Sequence, residues 1–238
     1  MLIEAGHIDK LIDYTTWTVG TGSVAPFVQY GLAGENDRIV APDPWGRDTI
    51  VWTNIASGDG GQDGGFYTTS TTTPIDNTKL YRFSIWARRT TLGSDGDIYF
   101  GALGYIGAAS NGLEELSTGN NNTSSYFWSH PQSATYTPDE WILIVGHVFP
   151  YTTSTGTSDH ADSGRYHPDG NHYTTSGSYN WDYRWRSVTT TTSLRVLLYN
   201  DFAGTARQRW CYPRIDVVDG TEPTINKLLS GNYYEPHW

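Results

Sequence analysis

The chain of 238 residues contains a single cysteine, Cys211, so an intramolecular disulfide is excluded. We expect Cys211 to act as a small hydrophobic residue. Leucine, lysine and glutamate, which favour helices, are scarce. Threonine, serine, tyrosine and tryptophan are abundant, and 26 glycines and 11 prolines are spread among them. The composition therefore predicts many short β-strands joined by turns, and little helix.

Positive charge is also in short supply. The 15 lysines and arginines are outnumbered by 25 aspartates and glutamates, which gives a net charge of −10. A nucleic-acid-binding protein needs a basic surface, so we expect no nucleic acid partner. No apolar stretch is long enough to predict membrane insertion. The first residues, Met1–Asp13, lack the basic and apolar regions of a signal peptide, which predicts synthesis in a cytoplasm.

Catalytic motifs are missing as well. The sequence has no nucleophile elbow, phosphate loop or dinucleotide fingerprint, and the glycine-rich run Gly58–Gly65 reads as a turn. Glu114 and Glu115 are adjacent on a short segment of helical spacing, so their side chains diverge instead of forming the facing pair of a glycosidase. We therefore predict that the protein is not an enzyme. A polysaccharide-cleaving enzyme is the least favoured alternative.

Alternating apolar and polar residues predict the main strands. The clearest is Leu80–Thr90, followed after a turn by Ile98–Tyr105, and we expect these two to pair as an antiparallel hairpin. Trp141–Phe149 and Leu194–Tyr199 are apolar on both faces, which predicts central strands covered on each side. Together these patterns predict one all-β domain over residues 1–238.

Weaker patterns complete the outline. Further strands are predicted at Ala25–Tyr30, Thr49–Ile55, Gly65–Thr69, Ser125–Ser129, Tyr183–Ser187 and Arg209–Val218. Helical spacing occurs at Asn111–Leu116 and Thr224–Leu229. Two long polar segments, Gly107–Ser124 and Tyr151–Asn180, are expected to lie together at one edge of the domain, and loops of this length are usually functional.

Ten tryptophans and 17 tyrosines exceed what a core normally needs, and such rings are common in sugar-binding sites. On the first strand, Trp86 and the flanking arginines share the face opposite the predicted core face. A second aromatic group follows the long loop. The candidate carbohydrate-binding residues are Arg82, Trp86, Arg88, Trp181 and Trp185. The alternative is that Trp86 packs beneath a loop and the arginines pair with carboxylates.

The loop Ser158–Tyr173 concentrates imidazole and carboxylate groups, which are ligands for zinc or calcium. Its candidate ligands are His160, Asp162, His167, Asp169 and His172. Their spacing matches no known metal motif, so a solvated polar loop is the favoured interpretation.

Three stretches carry a family resemblance: Lys79–Arg89 (KLYRFSIWARR), Gly146–Gly170 and Arg209–Thr224 (RWCYPRIDVVDGTEPT). They resemble carbohydrate-binding-module-like jelly-roll domains of bacteriophage tail fibres and other virion proteins. The resemblance implies an antiparallel β-sandwich of jelly-roll, galactose-binding-like type. It implies no required cofactor, although many members hold a structural calcium ion near an aspartate of the last strand. Asp216 is the nearest match, with Pro213 and Arg214 in place of the usual acidic residues.

The resemblance also implies a setting and a partner. It predicts a virion-associated module that binds a glycan or host-surface receptor, contacts other virion proteins and forms a homo-oligomer, with a trimer favoured. The alternative is a structural module for particle decoration or fibre assembly. That alternative draws on an N-terminal arm at 1–13 and on the aromatic C-terminal tail Asn232–Trp238, which we expect to pack against a neighbouring subunit.

Overall fold

A computed structural model describes residues 11–55, 61–69, 73–89, 97–131, 139–174, 182–199, 202, 204, 207–232 and 234. The strands of this part are β1 (Gly20–Thr21), β2 (Phe27–Gln29), β3 (Asn36–Pro42), β4 (Asp48–Ile55), β5 (Gln62–Thr68), β6 (Tyr81–Arg89), β7 (Asp97–Tyr105), β8 (Leu113–Glu115), β9 (Asn121–Asn122), β10 (Tyr126–Pro131), β11 (Trp141–Phe149), β12 (Gly164–Tyr166), β13 (His172–Tyr173), β14 (Tyr183–Trp185), β15 (Thr191–Tyr199) and β16 (Arg207–Val217). One short helix, α1 (Ile225–Ser230), follows. Within these ranges no helix has the length and apolar character needed to cross a bilayer.

The strands form two sheets, and their order is that of a jelly roll. Eight strands make up the framework: β4, β5, β6, β7, β10, β11, β15 and β16. Numbered one to eight along the chain, they lie in the order 1-8-3-6 in the larger sheet and 5-4-7-2 in the smaller sheet. Successive framework strands thus alternate between the sheets, except for the β7–β10 pair. The predicted antiparallel β-sandwich of jelly-roll type is confirmed.

The predicted hairpin of β6 and β7 is wrong. β6 lies in the larger sheet between β16 and β11, whereas β7 lies in the smaller sheet between β10 and β15. Both faces of β6 are buried, so water does not reach its backbone N–H and C=O groups, and these pair along both edges with β11 and β16. The central positions of β11 and β15 are confirmed.

The two predicted helical segments had different outcomes. Leu113–Glu115 forms β8, which pairs with β14 and β9, so the helix predicted at Asn111–Leu116 is wrong. Pairing across the sheet edge outweighs the local helical spacing there. The helix near Thr224 is confirmed: the Thr224 side chain accepts a hydrogen bond from the Lys227 N–H, and Gly231 ends the helix in a left-handed conformation.

The long polar segments meet at the edge of the larger sheet, as expected. The N–H of Gly156 donates to the carbonyl of Leu116 at 2.9 Å, and the Arg184 side chain donates to the carbonyl of Thr153. β14 lies between the segments and pairs in parallel with β11. Hydrogen bonds therefore connect the described part of these segments with each other and with β14 of the larger sheet.

Aromatic side chains fill the space between the sheets. Phe66 and Phe100 of the smaller sheet and Phe83 of the larger sheet are fully buried. Phe127 of β10 contacts the ring of Phe83 at 5.4 Å between centroids and packs directly on Gly146 of β11. The absence of a side chain at Gly146 is what lets the two sheets approach at this point.

A second aromatic layer covers the outer side of the larger sheet. Tyr234 is 2% exposed and stacks on Tyr212 at 4.4 Å and on Trp45 at 5.3 Å. For Tyr234, the prediction of a tail residue packed against a neighbouring subunit is wrong, because a pocket within its own chain accepts the ring. Tail residues 233 and 235–238 lie outside the described residues.

The N-terminal arm is described only from residue 11. The N–H of Leu11 donates to the carbonyl of Ile215, and Ile12 is 3% exposed. This part of the arm therefore packs on the domain. The lone cysteine, Cys211, is fully buried on β16, which confirms its interpretation as a small hydrophobic residue.

Candidate functional site

The predicted aromatic platform on β6 and β14 is not accessible. Arg82, Trp86 and Trp185 are 3%, 0% and 0% exposed. Trp185 lies inside the sandwich with its ring against Tyr81, and Trp181 lies outside the described residues. Buried rings cannot stack on a sugar, so the assignment of Trp86 and Trp185 to a carbohydrate site is wrong. The assignment of Arg82 is wrong because its guanidinium pairs with Asp216.

The reason is the second aromatic layer. Trp86 does lie on the outer face of the larger sheet, as the alternation predicts, but Trp45 covers it at 5.3 Å between ring centroids. Arg82 forms a buried ion pair with Asp216 at 2.9 Å. Arg88 remains partly exposed and pairs with Asp139. The alternative interpretation, a covered tryptophan and ion-paired arginines, is the one that the structure supports.

The histidine- and aspartate-rich loop does not assemble a metal site. Within the described residues no group of three or more histidine, cysteine, aspartate or glutamate side chains could hold a metal ion. The candidate side chains have separate partners. The His167 ring forms a hydrogen bond with Glu140 at 2.7 Å, and the Asp169 carboxylate accepts a hydrogen bond from the N–H of Asn171. The N–H of Asp162 donates to the His160 ring. A short hairpin, β12–β13, organises this loop.

Asp216 is committed to arginines. Arg82 donates to one carboxylate oxygen, and Arg214 donates to both. Two guanidinium groups occupy the oxygens that a calcium ion would need, so these residues do not fit a calcium site at Asp216.

A buried polar cluster on the outer side of the larger sheet contains Ser163, His147 and Asp182, the residue types of a hydrolytic triad. The connectivity differs from that of a triad. The Ser163 hydroxyl contacts both the His147 ring and the Asp182 carboxylate, at 2.7 Å to each, while Asp182 accepts the backbone N–H of His147 and not its ring N–H. With His147 1% exposed, the cluster holds the loop on the sheet.

Burial shifts the pKa values of Asp182 and His147 in this cluster. It raises the pKa of Asp182 to about 7, against the lowering effect of the N–H groups of His147 and His160 and of the Ser163 hydroxyl. Burial, together with the nearby His160 and Arg82, holds the pKa of His147 well below its ordinary value. His147 is therefore neutral at pH 7.

The surface best suited to a ligand is the outer side of the smaller sheet. Ile98, Phe100, Leu194 and Val196 point into the core, so the residues that alternate with them point outward. We name this outward side the tyrosine face. It comprises Arg195 and six tyrosines: Tyr30, Tyr67, Tyr99, Tyr105, Tyr126 and Tyr199.

Strand register places these side chains side by side. Tyr126, Gly101, Arg195 and Tyr67 form one row across β10, β7, β15 and β5. A Cβ at Gly101 would collide with the backbone of β10, so only glycine allows β10 to lie this close. The row therefore puts a cation at the centre with one tyrosine on each side.

Ring contacts extend the row into a continuous surface. Tyr99 lies 4.8 Å from Tyr126 and 6.0 Å from Tyr199, measured between ring centroids. Tyr30 lies 4.8 Å from Tyr67 at the other edge. These five rings are partly exposed, and Tyr105 is 9% exposed. Partly exposed rings fixed by their neighbours are preorganised for stacking.

Arg195 is the only charged group at the centre of this row. Its guanidinium carbon lies 3.9 Å from the centroid of the Tyr126 ring, and it donates a hydrogen bond to the carbonyl of Ser125 at 3.2 Å. The side chain of Tyr30 lies close enough to feel its positive charge. The side chain of Arg195 is 6% exposed, and its Nε has no hydrogen-bond partner among the described residues.

Tyr30 and Tyr99 of the face are neutral at pH 7. Burial raises the pKa of Tyr30 to about 12, although the positive charge of Arg195 offsets part of the increase. Burial and the charge of Asp97 raise the pKa of Tyr99 to about 12 as well. Neutral phenols donate and accept hydrogen bonds, as sugar hydroxyls require.

Sequence reasoning missed the tyrosine face. One signal was present: in β7, Tyr99, Gly101, Leu103 and Tyr105 alternate with core residues. That pattern identifies a polar aromatic side of one strand. It does not reveal that β10, β15, β5 and β2 place their own tyrosines beside it, because those pairings join strands far apart in the chain.

Comparisons with known proteins gave structural similarities only, since no family model and no curated protein matches the sequence. The N-terminal modules of endo-1,4-beta-D-xylanase 10B from Clostridium thermocellum, complexed with xylohexaose, align at 10% identity and a TM-score of 0.44. That alignment covers 84% of this chain and 28% of the xylanase chain. The C-terminal family 22 carbohydrate-binding module of the same enzyme aligns at 14% identity and a TM-score of 0.42, covering 89% and 99% of the two chains. The xylan-binding domain of a Paenibacillus barcinonensis xylanase aligns at 11% identity, a TM-score of 0.37, and 83% and 88% coverage.

Proposed function

We propose that the protein is a glycan-binding module and that the tyrosine face is its binding surface. The observation that carries the proposal is the clustering of six tyrosines and Arg195 on one side of a five-stranded sheet. The tyrosines come from all five strands or the residues directly beside them, so the surface is a property of the whole sheet.

The chemistry of the face suits a sugar. A pyranose ring offers an apolar face for stacking on an aromatic ring, and its hydroxyls need planar or hydroxyl partners at the rim. The partly exposed rings of Tyr99, Tyr126 and Tyr199 provide the stacking surfaces. Their hydroxyls and the guanidinium of Arg195 provide hydrogen bonds. Among its described residues, the face has no pair of opposed carboxylates, which glycoside hydrolysis needs.

A glycan array tests the proposal. The double variant Y99A/Y126A removes two adjacent stacking rings, and we expect it to lose signal on every glycan that the unchanged protein binds. The expected loss of affinity is about tenfold or more for each stacking ring removed. Circular dichroism and a thermal melt establish that the variant is folded.

The matched control is Y151A/Y173A. Tyr151 and Tyr173 are 38% and 43% exposed, more than the tyrosines of the face, but they lie on turns and hairpins of the larger sheet. We expect this variant to bind as the unchanged protein does. If no glycan binds the unchanged protein, or if both double variants lose binding equally, the proposal fails.

We further propose that the module acts on a virion in host attachment, as a homo-oligomer in contact with other virion proteins. This part is supported by the resemblance of the three sequence stretches to virion domains, and the structural similarities do not bear on it. Mass photometry of the purified protein tests the oligomer: a trimer supports it, and a monomer at micromolar concentration contradicts it. The alternative role in fibre assembly was based partly on the aromatic tail. Tyr234 does not support that role, because its ring packs within its own chain.

A further inference from the structure

The centre of the tyrosine face holds a charge that the described part of the protein leaves without a counter-ion. Arg195 is 6% exposed, and its contacts there are the carbonyl of Ser125, the ring of Tyr126 and the side chain of Tyr30. None of the described carboxylates forms an ion pair with it, whereas the buried Arg82 pairs with Asp216. Arg38 is equally buried and also forms no ion pair with a described carboxylate, but it donates to three backbone carbonyls, whereas Arg195 donates to one. A buried charge with so few acceptors calls for a partner.

The neighbouring phenols do not supply the missing negative charge. Tyr30 and Tyr99 have pKa values of about 12, and burial raises the pKa of Tyr126 and Tyr105 too. At pH 7 all four are neutral. The acidic residue of β7, Asp97, lies at the start of that strand, beside Tyr99 and Tyr199. The neighbouring phenols therefore do not compensate the positive charge of the guanidinium.

Its hydrogen-bonding capacity is also unfilled. The Nε of Arg195 is buried and has no acceptor among the described residues, although the guanidinium fork is suited to bidentate contact with an anion. The residue opposite Arg195 on β7 is Gly101, so β7 places no side chain between the guanidinium and the Tyr126 ring. The guanidinium therefore lies directly against the Tyr126 ring, and only its exposed fraction of 6% is open to an acceptor from solvent.

We propose that the tyrosine face selects acidic glycans, and that Arg195 binds the carboxylate of a uronic acid residue while the tyrosines stack on the sugar rings. This inference rests on the proposed glycan binding and specifies its ligand class. A carboxylate has the planar geometry that pairs with a guanidinium fork, and it supplies the negative charge that the face lacks. A neutral sugar would leave the charge of Arg195 uncompensated.

The test uses matched pairs of ligands on the unchanged protein. Oligogalacturonate is compared with its methyl ester, and an oligomannuronate with its carboxyl-reduced counterpart, by isothermal titration calorimetry. We expect the acidic member of at least one pair to bind about 10-fold to 100-fold more tightly, as for a charge-assisted hydrogen bond. A sulfated galactan oligosaccharide forms a separate arm, and preference for it over the uronates would overturn the carboxylate assignment.

Variants assign the preference to Arg195. R195Q is expected to abolish the difference within a pair, and R195K, which keeps the charge but not the fork, to retain part of it. K227Q removes one positive charge from the exposed surface of α1 and is expected to leave the preference intact. If R195Q does not fold, the ligand pairs still decide the question.

The outcomes separate the two proposals. Equal affinity for acidic and neutral members, with binding still lost in Y99A/Y126A, would overturn the acidic preference and leave glycan binding standing. The absence of binding to any acidic or neutral glycan would overturn both. Preference for the acidic member that persists in R195Q would show that another group recognises the carboxylate and would overturn the role of Arg195.

Discussion

At the scale of single residues, burial decides which side chains are available to a ligand. Trp86 and Arg88 occupy the outward face of β6, as the period of two predicts, yet Trp45 covers Trp86 completely. Tyr99 and Tyr126 are also outward and remain partly exposed. Alternation along a strand thus gives the direction of a side chain, but not what lies on top of it, because the covering residues come from distant parts of the chain.

His147 allows a test of the buried polar cluster by pH. Its pKa is lowered in the folded protein, so the unfolded chain takes up a proton below about pH 6.5 while the folded protein does not. The stability that this residue contributes is therefore present above about pH 6.5 and is lost as the pH falls. Asp182 has the opposite dependence, since its raised pKa of about 7 favours the folded state at low pH.

We predict that the difference in free energy of unfolding between the unchanged protein and H147Q shrinks as the pH falls below about 6.5, by at most about 1.4 kcal/mol for each pH unit. The Asp182 contribution cancels in this difference, because the backbone N–H of residue 147 is kept. Urea denaturation between about pH 5 and pH 7 measures it. A difference that stays constant with pH would contradict the burial of a neutral His147.

At the scale of elements, the sequence predicts most strands but not their partners. β6, β11, β15 and β16 have strong patterns, and their predicted bounds lie within a few residues of the observed ones. β3 escapes prediction because its sequence, NDRIVAP, is half polar and ends in proline, and its place depends on seven paired positions with β4. The β6–β7 hairpin is wrong because a short connection does not imply adjacency in a jelly roll, where the chain crosses between sheets.

Gly146 tests how the two sheets are held together. A Cβ at this position of β11 would collide with the ring of Phe127 from β10, and both are buried in the core. We predict that G146A lowers the free energy of unfolding by about 1–3 kcal/mol through overpacking. Chemical denaturation measures the change.

The control for that substitution is G34A. Gly34 has an ordinary backbone conformation, and the position that a Cβ would occupy there is open, so its replacement is expected to change stability by less than about 1 kcal/mol. Equal effects at the two glycines would contradict the packing of Phe127 on β11.

At the scale of the whole molecule, the domain is a sandwich with an additional aromatic layer on one side and a tyrosine face on the other. The all-β class followed from composition and strand pattern, and the jelly-roll type from the resemblance of three sequence stretches. The site did not, because it depends on five strands brought into register by long-range pairing. The packing of Tyr234 could not be predicted either. Nothing in the sequence of the aromatic tail indicates that the Tyr234 ring packs on Trp45 and Tyr212.

Tyr234 also provides a global test. We predict that Y234A lowers the free energy of unfolding by about 3–5 kcal/mol, as for loss of a buried aromatic ring, and leaves the oligomeric state unchanged. The control Y151A removes an exposed ring and is expected to cost less than about 1 kcal/mol. Calorimetry and mass photometry measure the two properties. A Y234A protein of unchanged stability that dissociates into smaller species would show that the ring serves an intersubunit contact.

The most direct test of the central claim is an NMR titration that observes the tyrosine rings themselves. With tyrosines labelled and assigned, the highest-affinity glycan from the array is added to the unchanged protein. We expect chemical-shift changes at Tyr67, Tyr99, Tyr126 and Tyr199, and none at Tyr151 or Tyr173. Changes confined to Tyr151, Tyr173 or other rings of the larger sheet would contradict the assignment of the glycan to the tyrosine face.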